Sequence, residues 1–209
     1  RQMCIRDRKR KQTEKFMDLN RKRMNAGITA EDNRSELSAG STVTLEITAY
    51  GSEGQGIARH NGMAVFVPGA ICGETVEAEI KKAAPSFAEA KLQKILRPSA
   101  ERVIPPCPHY AECGGCDILH MSYAEQLRMK RETVRSAMER IGGFRGIEVL
   151  PCIGADKPEH YRNKAVFQFA NAEKTNKKNL RQVLSGYYEQ KSHKLVPVET
   201  CMIQNEEAM

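Results

Sequence analysis

Three cysteines packed into ten residues, Cys107-Pro108-His109-Tyr110-Ala111-Glu112-Cys113-Gly114-Gly115-Cys116, constrain this chain more than any other feature, because a fourth, Cys201, stands far downstream to complete a set of four. Three thiols in one short loop are too close together for a disulfide framework. Thiolates gathered by a tight turn are what zinc and iron–sulfur centres take. Gly114 and Gly115 lack Cβ atoms, so the chain can reverse between Cys113 and Cys116 and turn backbone N–H groups towards coordinated sulfur. Pro105, Pro106 and Pro108 stiffen the approach. Bringing Cys201 back to this loop would close a long stretch of chain around the metal and tie that part of the molecule together.

The 209 residues suit one or two domains, and a composition of 40% hydrophobic and 28% charged residues suffices for a buried core. No run approaches the ~18 apolar residues of a membrane span, and the start has no apolar signal core. The expected compartment is the cytoplasm, where thiols stay reduced, and seven cysteines with a tight cluster then favour metal over disulfides. Cys4, Cys72 and Cys152 are isolated and are read as structural or incidental. The net charge of +7 is concentrated at one end: ten basic residues against Asp7, Glu14 and Asp18 lie within residues 1–25, and the rest of the chain is balanced. Residues 1–37 are therefore expected to be a basic, disordered leader, and one that need not be native, since the chain opens on Arg1 and no pattern links the stretch from Arg1 to Arg8 with the residues after it.

From Ser41 the texture becomes that of strands. Val43, Leu45 and Ile47 alternate with polar residues, as in a half-buried strand. A glycine-rich connection, Gly51 to Arg59, precedes further strands predicted over Met63–Val67, Thr75–Ile80 and Phe87–Leu96. Short strands with Gly turns at this spacing predict a small closed or nearly closed barrel over residues 38–97. Gly51 to Gly56 is not a phosphate loop: it lacks the Lys-Ser/Thr pair and leads into a strand rather than a helix. Arg59, at the edge of this loop, is a candidate phosphate contact, with a surface salt bridge as the plainer reading.

Residues 98–209 form the second expected module. Ser122-Tyr123-Ala124-Glu125 reads as a reciprocal capping box opening a helix that carries Leu127, Val134, Met138 and Ile141 on one face and ends at Gly142-Gly143. Strands are then predicted around Val166–Phe169, Val183–Tyr188 and Leu195–Val198, with an exposed Asn/Lys-rich loop over 171–179 and a turn at Glu189–His193. The expected class is thus mainly β with one long helix, a small OB-like barrel followed by a cysteine-bearing β module. On spacing alone, Cys107-x5-Cys113-x2-Cys116 with Cys201 suits zinc or a [4Fe–4S] cluster, and three clustered thiols plus one remote lean towards the cluster. His120 could instead replace Cys201 in a Cys3His zinc site.

The order of these features, Glu53-Gly54-Gln55-Gly56-Ile57-Ala58-Arg59, the cysteine loop, Tyr161-Arg162-Asn163-Lys164, then Ser192-His193 and Cys201, resembles bacterial RNA uracil-C5 methyltransferases, most closely their 23S ribosomal RNA branch. The resemblance covers about residues 38–209. It implies that the barrel is a TRAM domain, an OB-like RNA-binding module, and that Cys107, Cys113, Cys116 and Cys201 ligate a [4Fe–4S] cluster of structural role. Arg162 and Lys164 would meet phosphate and Asn163 a base or backbone edge, unless the tetrapeptide is only a polar turn. Arg59 joins them as an RNA contact, and the implied partner is ribosomal RNA, engaged by a monomer. In such enzymes a cysteine thiolate adds to C6 of uracil, C5 takes a methyl group from S-adenosylmethionine, and a carboxylate removes the C5 proton. That chemistry needs a Rossmann-like domain with a Gly-rich loop, and none precedes Met209. The expectation is of an N-terminal part, inactive alone, with catalytic residues beyond Met209. Radical methylthiotransferases fit less well, because their cysteine spacing and module order differ. A free-standing zinc-binding RNA adaptor is the alternative.

Overall fold

The computed structural model describes residues 37–171 and 183–208; the basic leader with Cys4, and most of the Asn/Lys-rich loop, lie outside the described residues. Five strands close into a barrel in the order β1-β2-β3-β5-β4, with β4 returning to pair with β1. They are β1 (Thr42–Tyr50), β2 (Gly56–His60), β3 (Met63–Val67), β4 (Thr75–Ala83) and β5 (Phe87–Arg97). All neighbours are antiparallel except β3 and β5, which run parallel. Register shifts along β4–β5 and within β1 bend the long strands enough to close the circle. The interior holds Leu45, Ile47, Val65, Val67, Val76 and Ile80, interleaved with Ala58, Ala78, Ala88 and Ala90. The alanines let so narrow a barrel fill without voids.

The predicted barrel is present, and its strands fall close to the expected runs. One correction concerns the glycine-rich connection, whose second half is β2 itself. Gly54, at φ +82°, packs so closely on the second module that a Cβ would stand 2.8 Å from Ile118 Cγ2. This loop is therefore a docking surface within the molecule. Around it Tyr50, Ile71, Ile118, Met121 and Met129 form a second apolar cluster joining the barrel to the helix.

That helix, α1 (Tyr123–Arg140), begins where expected, with Ser122 Oγ accepting from Glu125 N at 3.2 Å. The capping box is only half made. Glu125 does not reach back to Ser122, whose N–H donates to Glu101 O; its carboxylate accepts from Tyr50 OH and from Arg128 Nε at 2.6 Å. The expected apolar face is also displaced: Val134 and Ile141 are 52% and 81% exposed, and the buried positions are Glu125 and Met129. Only the first half of the helix meets the barrel, so periodicity along its second half reports no core.

Beyond α1 a three-stranded antiparallel sheet is ordered β6 (Gln168–Asn171), β7 (Val183–Tyr188), β8 (Leu195–Pro197). The first of these starts two residues later than predicted, leaving Val166 exposed. No helix among the described residues is long and apolar enough to cross a membrane.

The junction between barrel and second module also carries a buried ion pair. Glu74, wholly buried at the mouth of β4, accepts from Ile71 N at 2.9 Å and Ser99 N at 3.3 Å, and from Arg102 Nε at 2.6 Å and Nη2 at 2.8 Å. Burial pushes its carboxyl pKa up, but Arg102 and the two amides outweigh that and hold it below the ordinary carboxylate value of 4.5. The stability this supplies is present above that value and is lost as the pH falls through the lower folded pKa. Glu74→Gln leaves Arg102 uncompensated and is expected to cost about 3–5 kcal/mol at neutral pH and to flatten the acid limb of stability. Urea unfolding across pH 3–7 measures both, and an unchanged midpoint at pH 7 would remove Glu74 as the anchor.

Candidate metal centre and RNA-facing residues

The cysteine loop is shaped by its own backbone. Tyr110 N donates to Cys107 O at 3.2 Å and Cys113 N to His109 O at 2.7 Å, winding the chain between the first two thiols. Gly115 N then points at Cys113 Sγ, 3.4 Å away. The end of β7 holds the loop from outside: Gly114 N donates to Tyr188 O at 3.0 Å and Cys113 forms a β-bridge with Glu189. A Cβ on Gly114 would lie 2.8 Å from Tyr188 O and 3.0 Å from Gln190 backbone, so the approach needs a glycine there.

From β8 the chain runs through Val198, whose N–H donates to Ser185 O at 3.0 Å, and delivers Cys201 to the same place. Cys107, Cys113, Cys116 and Cys201 line one pocket, walled by Tyr187, Val198 and Ile203. All four are free, half-buried thiols. Burial, reinforced by Cys201, Cys113 and Cys107, raises the Cys116 thiol to about 11. Burial likewise raises Cys113, against the Gly115 amide and with Cys107 and Cys201 adding to it. Burial, with the neighbouring thiols adding to it, disfavours the thiolate at Cys113 and Cys116 until a cation offsets it.

Among the described residues no three His, Cys, Asp or Glu side chains converge tightly enough to hold a single metal ion. Four thiols lining one pocket match, in number and donor type, what a zinc ion or a [4Fe–4S] cluster takes.

His120 does not line this pocket. It is buried, with Nδ1 2.6 Å from Tyr110 OH and Nε2 unpartnered, and burial together with Arg102 lowers its pKa to about 4. The Cys3His arrangement thus loses its histidine to a place behind Tyr110.

The RNA candidates separate. Arg162 joins the cysteines as a pocket residue. Its backbone is pinned by the strand-like segment after Cys201, with Arg162 N donating to Ile203 O at 2.8 Å and Asn205 N to Arg162 O at 3.0 Å. Asn163 Oδ1 accepts from Asn205 Nδ2 at 3.4 Å, and Lys164 O accepts from Arg162 Nε at 3.2 Å. All three side chains are exposed. Arg59 stands apart on β2, its Nη1 donating to Gly62 O at 2.9 Å across the β2–β3 turn. Sequence reasoning missed Gln204, wholly buried with its amide donating to Tyr187 OH, and His160, whose Nδ1 lies 2.9 Å from Gln204 O. Both brace the segment that carries Cys201, and no spacing marks them.

Residues 36–92 match the TRAM domain, and the barrel with its glycine-rich loop is the fold that this match spans. Among relatives, an uncharacterized RNA methyltransferase of Clostridium tetani is 43% identical over 168 residues, which is 80% of this chain and 35% of that protein. One of Bacillus cereus is 38% identical over 177 residues, 84% of this chain and 37% of that protein. The chain thus spans little more than a third of the length of the curated relatives it matches. Of solved structures, the Pyrococcus abyssi tRNA (uracil-54, C5)-methyltransferase in complex with S-adenosyl-L-homocysteine aligns with a TM-score of 0.47 at 24% identity, over 79% of this chain and 33% of that one.

Because Gly114 sets the loop against β7, Gly114→Ala is expected to loosen it and speed alkylation of Cys113 and Cys116 in metal-free protein, with the barrel's unfolding midpoint unchanged. An unchanged alkylation rate would show that the contact with Tyr188 does not hold the loop.

Proposed function

We propose that this chain is the RNA-engaging and cluster-bearing part of a cytoplasmic, S-adenosylmethionine-dependent methyltransferase acting on C5 of uridine in 23S ribosomal RNA. Residues 38–97 serve as the RNA-binding barrel and residues 98–209 as the cluster and central module. Cys107, Cys113, Cys116 and Cys201 hold a [4Fe–4S] cluster, and Arg162, Asn163, Lys164 and Arg59 contact RNA. The observation that carries the reading is the meeting of one loop's three thiols with a fourth delivered by a strand 85 positions after Cys116 in the same pocket as Arg162. The TRAM match and relatives named RNA methyltransferases support it from the side of function.

When bound, the cluster would supply four iron–thiolate bonds tying the loop to the segment after β8. Methyl transfer to a carbon nucleophile consumes no electrons, so the role assigned to these cysteines is to hold the loop, the β8 segment and the 162–164 backbone in one arrangement. Arg162 then presents a guanidinium at the edge of the pocket, where a phosphate can be met bidentately. The methyl transfer itself is assigned to none of the described residues.

Anaerobic purification followed by iron, zinc and acid-labile sulfide analysis tests the centre directly. About four irons and four sulfides per chain are expected, lost in Cys201→Ala and retained in His120→Ala. One zinc without sulfide would overturn the cluster and the family reading built on it.

A further inference from the structure

A second recess, of about 840 Å3, lies on the barrel and is lined by none of the four cysteines and by neither Arg59 nor the 162–164 segment. Phe66 on β3 and Phe87 at the start of β5 line it, both half-buried, their rings edge to face with centroids 6.0 Å apart. Neighbouring parallel strands set this pair, since Ala64 faces Phe87 and Phe66 faces Glu89 in the β3–β5 register. The rim carries Lys81, Lys91 and, from the β7–β8 turn, Lys191. Lys82 stands over the Phe87 ring at 6.0 Å.

The charge here is mild. Glu53 and Glu89 also line the recess, and Lys81 is paired with Glu79 at 2.6 Å. A surface that gripped duplex phosphates would need a denser basic array, whereas an aromatic corner with a few flanking cations suits an unpaired strand, because every base has a π-face to stack. Lys191 adds a second sign. It sits at φ +59°, the left-handed region, where a glycine would be unstrained and a lysine is not. The turn therefore projects an ammonium group over the recess at a conformational cost. Gln190, beside it, donates to Asp117 Oδ1 at 2.9 Å, which ties this rim to the residue after Cys116.

We infer that this recess is a subsite for single-stranded RNA, in which the aromatic corner of Phe66 and Phe87 receives one unpaired base, stacked on one ring and met by the edge of the other, while Lys81, Lys91 and Lys191 meet the phosphates on either side. The inference rests on the RNA-binding reading above and adds to it a place and a class of strand. A neighbouring recess lined by Cys113 and Cys116 shares Gln190 and Lys191 with this one, so a bound strand would run from the barrel towards the cysteine loop.

Fluorescence anisotropy on the full chain, with a labelled unpaired RNA of about a dozen nucleotides and a duplex of equal length, tests this alongside Phe87→Leu and Lys191→Gly. The unpaired strand is expected to bind more tightly than the duplex. Phe87→Leu should weaken it about fivefold or more, and Lys191→Gly should weaken it and lower the slope of log affinity against log salt by about 0.7. Lys191→Gly should unfold at the same urea concentration or higher, so its loss of affinity cannot be a loss of fold. Wild-type affinity in both variants overturns the subsite and leaves RNA binding intact. Preference for the duplex overturns the class of strand, and no binding of either RNA by the folded chain overturns the RNA reading itself.

Discussion

Four donors converge on the carboxylate of Glu74, and the second module is positioned by what those donors are attached to. Two are backbone amides, from Ile71 and Ser99; the other two belong to Arg102, whose Nη2 also reaches Gly69 O at 2.7 Å. Arg102 in turn pairs with Met121 in a β-bridge, while Val103 N donates to His120 O at 3.0 Å and Ser122 N to Glu101 O at 2.8 Å. One buried charge pair thereby fixes both ends of the segment holding the cysteine loop, and fixes the first turn of α1. A pair this buried contributes little as a net attraction, since desolvation consumes most of the Coulomb gain. Its value is geometric, because the bidentate guanidinium and the two amides accept only one arrangement.

Downstream of that anchor the cysteine pocket is assembled by backbone contacts more than by the cysteines. Gly114 admits the carbonyl of Tyr188, Gly115 turns its amide towards Cys113, and the Gln204–Tyr187 hydrogen bond and His160 hold the segment that carries Cys201. The four thiols meet because β7 and β8 bring two distant segments to one place. Burial in this pocket raises the pKa values of Cys113 and Cys116, and the neighbouring thiols add to it.

The apolar seam of Tyr50, Ile71, Ile118, Met121 and Met129 completes the joint. It takes in Gly54 of the glycine-rich loop, whose Cα side packs on Ile118. What remains open on the barrel is the Phe66–Phe87 face, beyond which the β7–β8 turn extends Gln190 and Lys191. Barrel and cysteine module therefore share a rim, and a strand lying along it would meet both.

Much of this architecture is legible in the chain itself. Alternation of Val43, Leu45 and Ile47, the runs Met63–Val67 and Phe87–Leu96, and the Ser122 cap are local signals, and strands, barrel and helix start appear where those signals lie. The set of four cysteines is also legible, since thiol spacing in one loop is written in the chain. The helix face is not: Leu127, Val134, Met138 and Ile141 have helical period, but a period shows which residues share a face and not whether a partner covers it, and the barrel reaches only as far as Met129. Glu125, read in sequence as a capping-box carboxylate, and Glu74, unmarked there, are buried because of their distant partners Tyr50 and Arg102. Residue order thus settles the elements and the donor set, because propensity and spacing act within a few residues. Folding alone settles that His120 faces Tyr110 rather than the thiols, that Arg162 joins the pocket while Arg59 does not, and that Lys191 overhangs Phe87's recess, because each depends on contacts between segments distant in the chain.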